Sequence, residues 1–88
     1  MSPSPRLRRT PGVVSEELDG RLLLLSPDDP HVLALDDVAS TVWALLDDAP
    51  TEAELVTAVA QRYNVPVEQV AADVAPALEV LRRYGVLA

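Results

Sequence analysis

The sequence predicts an α+β fold in which a three-stranded antiparallel sheet is followed by three helices. Short runs of branched residues, separated by turn residues, fill the first part of the chain, and apolar residues recur at helical spacing after about residue 36. The length of 88 residues suits one domain with one modest core. We therefore expect a single domain over residues 13–88.

The three predicted strands are Val13–Leu18, Arg21–Leu25 and His31–Leu35. Asp19-Gly20 separates the first two, and this pair is typical of a type I′ hairpin turn, which needs positive φ at both central residues. Prolines and aspartates in residues 26–30 separate the second strand from the third. The pattern indicates a meander of neighbouring antiparallel strands.

The first two predicted helices have recognisable N-terminal caps. Asp36 or Asp37 can cap the first, which ends before the prolyl turn at residues 47–50. Thr51 followed by Glu54 is a capping box and opens the second helix.

The third predicted helix is the longest, from about Val67 to Tyr84, with Gly85 at its C′ position. An apolar stripe runs along it, formed by Val67, Val70, Val74, Ala77, Leu78 and Leu81. Pro76 lies inside the helix and removes one backbone hydrogen bond, so we expect the helix to bend there. Pro76 lies away from the apolar stripe, so we expect the bend on the side of the helix that faces solvent.

Residues 1–12 precede the first strand and have a different composition. They are rich in proline and arginine and have hardly any apolar residues. This predicts a flexible N-terminal tail.

Charge and hydropathy disfavour two classes of partner. The chain has 7 basic and 14 acidic residues, a net charge of −7. Residues 11–88 hold four arginines and all 14 acids, so this part repels phosphate backbones and favours basic or neutral partners. No apolar run reaches the ~20 residues of a membrane span, and no signal sequence is evident. We expect a cytoplasmic protein that binds neither nucleic acid nor membrane.

The sequence offers almost nothing for catalysis. It has no cysteine, and His31 is the only histidine, so no metal set or catalytic triad can be assembled from recognisable ligands. Of the four adjacent acid pairs, three fall at predicted turns or caps, where aspartate has a local role. We expect a non-enzymatic protein without a cofactor.

Two features of the predicted sheet suggest a partner. Leu22–Leu25 does not alternate, so leucines point to both faces, and the second face needs the tail, another copy or a partner to cover it, or stays partly exposed. The third strand lacks the lysine, proline or bulge that usually protects an edge. Its free edge can accept an incoming peptide strand, or it is too short for self-association to matter.

The order and spacing of several short motifs resemble the PqqD-like family, the recognition elements of ribosomally made and modified peptides. The resemblance rests on residues 12–14, 31–35, 42–47, 51–56, 73–81 and 85–87 together with the hairpin. A free-standing domain of this size most resembles the recognition subunit of lasso-peptide pathways.

The resemblance implies a winged helix-turn-helix in which a leader peptide adds as a strand, in a groove shared with the third helix. The strand-side residues that it implies are Val32, Leu33, Ala34 and Leu35. The helix-side residues are Val70, Asp73, Val74, Ala77 and Leu81. Ala77 stands where the family often has an aromatic residue, which predicts a roomier groove.

The expected function is therefore to bind the leader segment of a precursor peptide. The resemblance also implies delivery to a leader peptidase, with an ATP-dependent cyclase downstream, by a monomer or weak dimer. Three alternatives remain at this point: a winged-helix DNA-binding regulator, an enzyme using paired carboxylates, and an edge-to-edge structural homodimer. The acidic charge disfavours the first, and the placement of the acids at turns disfavours the second.

Overall fold

A computed structural model describes residues 5–88 and confirms the predicted α+β order. The elements are β1 (Val14–Leu18), β2 (Arg21–Leu25), β3 (Val32–Leu35), α1 (Asp37–Leu45), a 3₁₀ turn (Leu46–Asp48), α2 (Glu52–Tyr63) and α3 (Val67–Arg83). The strands form one antiparallel sheet in the order β1-β2-β3, so β3 is an edge strand. The predicted strands each match within one residue at either end.

The β1–β2 hairpin determines which residues of β2 direct their backbone groups to β1 and which direct them to β3. Asp19 and Gly20 have φ of 53° and 79°, as a type I′ turn requires. Leu18 and Arg21 flank this two-residue turn and are register partners. They form a hydrogen-bonded pair, and bonded and non-bonded pairs alternate from there along an antiparallel ladder.

Side-chain caps set where the helices begin. The Asp36 carboxylate accepts from the backbone N–H of Ala39 at 2.8 Å. Thr51 and Glu54 form the predicted capping box, with distances of 3.2 Å and 2.8 Å. The hydrogen bond donated by the Thr51 backbone N–H lowers the pKa of the exposed Glu54 carboxyl.

One hydrophobic core lies between the inner face of the sheet and the three helices. Its completely enclosed side chains are Leu24, Val42, Leu46, Leu55, Val74, Leu78, Leu81 and Val86. Trp43 is also buried in this cluster. None of the helices between residues 5 and 88 combines the length and apolar character that a membrane span needs.

The N-terminal segment differs from the flexible tail that we expected. Over residues 5–12 it packs against the domain, and Leu7 is only 6% exposed. The backbone N–H of Leu7 donates to the Pro50 carbonyl at 2.7 Å. The Arg9 guanidinium lies 4.5 Å from the centroid of the Trp43 ring. The remainder of the predicted tail, residues 1–4, lies outside the described residues.

The N-terminal segment packs against the domain because the Leu7 side chain is buried. Leu7 joins the core, and backbone hydrogen bonds hold its neighbours: Thr10 donates to Val86 at 2.9 Å and Ala88 donates to Arg8 at 2.9 Å. One leucine among arginines and prolines is too weak a pattern to predict such packing from the sequence.

Candidate peptide-binding site

The outer edge of β3 presents backbone groups that have no partner strand within residues 5–88. Counting from the hydrogen-bonded Leu18–Arg21 pair, every second residue of β2 directs its backbone groups away from β1, and Leu24 is one of them. The backbone groups of Leu24 therefore face β3, where its register partner is Leu33. The backbone groups of Leu33 thus point to β2. Those of Val32 and Ala34 point the other way, into the open edge. Two residues therefore offer N–H donors and C=O acceptors to an added strand.

A groove with a cavity volume of about 510 Å³ runs beside this edge. β3 and the residue after it form one wall, α3 forms the opposite wall, and the first turn of α1 borders the groove between them. The lining residues are Leu33, Ala34, Leu35, Asp36, Val38, Ala39, Asp73, Pro76, Ala77, Val80 and Leu81. The groove is mainly apolar, and it borders a strand with free hydrogen-bonding groups.

Among the described residues, the two charged ones that line the groove, Asp36 and Asp73, are both acidic. Asp36 is partly committed, because its Oδ1 accepts from the first turn of α1. Asp73 is exposed and forms no ion pair with any residue of the described 5–88 range. An apolar groove with a free carboxylate suits a peptide that carries apolar side chains and a cation.

Six of the nine residues predicted for the site line this groove. They are Leu33, Ala34, Leu35, Asp73, Ala77 and Leu81. Leu33, Leu35 and Leu81 are buried, so they form the bottom of the groove and part of the core. Val32 does not line it; its side chain is 58% exposed on the outer face of the sheet.

Val70 and Val74 lie elsewhere. Both are buried in the core, and they line a smaller cavity of about 190 Å³ between α1, α2 and α3. This cavity shares Val38 and Asp73 with the groove, so the two adjoin. The apolar stripe that suggested these two valines is mainly a packing face.

Sequence reasoning missed several residues of the groove. Pro76 was expected on the solvent side of α3, and it is exposed there, but it also lines the groove. Val80 is 37% exposed on the same wall. Residues three and four positions apart lie on the same side of a helix. That spacing from the predicted Asp73 and Ala77 leads to Pro76 and Val80, so it could have identified both.

The approach to β3 is held by a local contact between Asp29 and His31. The Asp29 carboxylate accepts from the backbone N–H of His31 at 2.9 Å and lies 2.7 Å from its Nδ1. Both hydrogen bonds lower the pKa of the Asp29 carboxyl, and the one from the backbone N–H has the larger effect. In the described part of the chain, no cluster of histidine, cysteine or carboxylate residues is able to hold a metal ion.

Three solved structures share this fold. TbiB1 in complex with the TbiA(beta) leader peptide is 29% identical, with a TM-score of 0.79, over 91% of this chain and 93% of that chain. The PqqD truncation of Methylobacterium extorquens PqqCD, described as a functional stand-alone RiPP recognition element, is 27% identical, with a TM-score of 0.76, over 94% and 88%.

A third structure, lasso peptide synthetase B1 complexed with the leader peptide, shares the fold at 20% identity. Its TM-score is 0.78, over 94% of this chain and 98% of that chain. No curated protein sequence matches the chain. The family model described as coenzyme PQQ synthesis protein D (PqqD) matches residues 21–87, which span β2, β3 and all three helices. The chain therefore belongs to the PqqD family.

Proposed function

We propose that this chain captures the leader segment of a ribosomally made precursor peptide as a fourth strand on β3. The observation that carries the proposal is the pairing of a free strand edge with an apolar groove, both at β3. TbiB1, which shares this fold at 29% identity, is in complex with a leader peptide. This supports leader binding as the function of the edge.

The backbone groups of β3 provide affinity for the peptide, and the groove provides selectivity for its side chains. Backbone groups of Val32 and Ala34 bond to any peptide backbone, which gives sequence-tolerant affinity. Successive side chains of the added strand alternate between the two faces of the sheet, so every second one enters the groove. There the apolar walls select apolar side chains, and Asp73 selects a nearby cation.

Binding by this mechanism is positional and needs no catalysis or cofactor from this chain. It raises the local concentration of the precursor near the enzymes that modify it. We propose a leader peptidase as the direct partner and an ATP-dependent cyclase as a later one, as in a lasso-peptide pathway. The domain would act as a monomer or weak dimer in the cytoplasm.

The structure gives the competing functions less support. A DNA-binding winged helix needs cations on its recognition helix, whereas α3 carries Asp73 and two other acids besides its two C-terminal arginines. An edge-to-edge dimer would use the same β3 edge, and the net charge of −7 on each copy disfavours it.

Leader capture can be tested with a fluorescently labelled leader peptide from a precursor encoded beside this chain, followed by anisotropy. We expect saturable binding that a scrambled leader does not reproduce. The variant D73N should weaken binding by about threefold to tenfold, because it removes the free carboxylate of the groove. The matched control D48N removes an exposed acid outside the groove and should bind like the unmodified chain. Equal, non-saturating signals from leader and scrambled peptide would overturn the proposal.

A further inference from the structure

The outer face of the sheet, turned away from the helices, carries an apolar row across all three strands. Val14, Leu25 and Val32 are register partners, so their side chains share one face. Their exposed fractions are 56%, 39% and 58%. In the next row, Leu23 and Ala34 continue the same apolar surface. We call these five residues the outer apolar face.

The pattern of β1 shows that this face is built into the sequence. A strand with one solvent-facing side normally points its apolar residues to the core. β1 does the reverse: Ser15 and Glu17 share the side of the buried Leu24, while Val14 and Leu18 point outward. Leu18 is 61% exposed. Two apolar side chains on β1 are thus placed where this domain has no core to receive them.

Residues 5–12, one candidate cover for this face, lie elsewhere. Arg6 bridges to Thr51 and Arg9 bridges to Leu87, so this segment runs along the start of α2 and the C-terminus. Val14, Leu25 and Val32 remain exposed in its presence. Exposed apolar surface across neighbouring strands is typical of a protein interface.

The position of the face indicates what docks there. A peptide added to the edge of β3 extends the sheet next to Val32 and Ala34, and its outward side chains continue the outer apolar face. A protein that covers this face therefore touches this chain and the captured peptide together. An enzyme that acts on the precursor needs this arrangement, because it must recognise the loaded complex.

Charge favours such a heterologous partner over a second copy. The chain carries a net charge of −7, and the outer side of the sheet holds both Glu16, beside Leu23, and Arg21. Two copies with this net charge repel each other as they approach. A partner with an apolar centre and a basic rim would meet complementary groups.

We infer that the outer apolar face docks the enzyme that acts on the captured peptide, through an apolar patch rimmed by basic residues. This inference depends on the proposed leader capture. The outer apolar face is present with or without a bound peptide, whereas the outward side chains of the leader add to the interface only when the leader is bound. Docking is thereby strongest when the peptide is in place.

The test uses two variants on β1 and β2, away from the peptide edge: V14S and L25S. Val67 is 48% exposed at the start of α3, and V67S is the matched control. Leader affinity is measured by anisotropy, and leader removal is measured with the peptidase encoded beside this chain. Circular dichroism checks that each variant is folded. If V14S or L25S is unfolded, L18S replaces it, because Leu18 points to the same side of the sheet and is more exposed.

We expect V14S and L25S to bind leader within about twofold of the unmodified chain but to slow leader removal by about tenfold or more, as for a central interface residue. V67S should leave both unchanged. Unchanged leader removal in V14S and L25S would overturn the inference. So would a dimer of the unmodified chain that these variants dissociate, because a second copy would then occupy the face. Loss of leader binding by the unmodified chain would instead contradict the proposed function.

Discussion

Replacing Ala34 with proline is expected to weaken leader binding by about 10- to 100-fold and leave the domain folded. The backbone N–H of Ala34 points to the open edge, so proline removes a donor that the added strand needs. An unmade hydrogen bond to a desolvated group costs about 1–3 kcal/mol, and ~1.4 kcal/mol is a factor of ten in affinity. Proline is tolerated on an edge strand where its nitrogen faces solvent, so stability should change little.

Leu33 provides the matched control for this experiment. Its N–H points to β2 and its side chain is buried, so L33P should unfold or strongly destabilise the domain. A34V keeps the N–H and should bind like the unmodified chain. Anisotropy and chemical denaturation measure the two effects separately. If A34P bound leader as tightly as A34V, strand addition at β3 would be contradicted.

Truncating Leu7 to alanine is expected to lower the free energy of unfolding by about 2–3 kcal/mol, although it lies before the first strand. Its side chain is 6% exposed within the core, and deleting a buried leucine leaves a cavity. For a domain of this size the loss corresponds to a drop in Tm of roughly 10–20 °C.

Arg8 is the control for the N-terminal segment, because its side chain is exposed and, within residues 5–88, only its backbone carbonyl is hydrogen-bonded. R8A should unfold within about 0.5 kcal/mol of the unmodified chain. Thermal and denaturant unfolding measure both variants. An L7A protein as stable as R8A would show that the segment does not belong to the folded core in solution.

Local rules with a geometric requirement predicted the fold well. Asp19-Gly20 specifies positive φ at two successive positions, and the structure has them. Thr51 and Glu54 form the capping box that their spacing predicts. These features depend on near neighbours in the chain, which the sequence displays directly.

Features that depend on distant neighbours were harder to predict. Helical periodicity marked Val70 and Val74 as one apolar stripe with Leu81, but only the position of α1 and β3 decides which part of it borders the groove. Leu7 joins the core, and its segment is hydrogen-bonded to Pro50, just before α2, and to the C-terminus, both far away in sequence.

The hydrogen-bonding register refines the strand side of the site. The resemblance implied a ladder from four consecutive residues, but in a strand only alternate residues point their backbone groups to one edge. The type I′ turn assigns the open edge to Val32 and Ala34, and assigns Leu33 and Leu35 to β2. The side chains of Leu33 and Leu35 still form the bottom of the groove.

Residue-resolved amide hydrogen exchange, with and without saturating leader peptide, tests strand addition most directly. In the free domain, the amides of Val32 and Ala34 should exchange quickly, while those of Leu33 and Leu35 are protected by β2. Addition of the leader should protect Val32 and Ala34 and leave the other two nearly unchanged. Saturable binding that left the exchange of Val32 and Ala34 unaffected would contradict strand addition at the β3 edge.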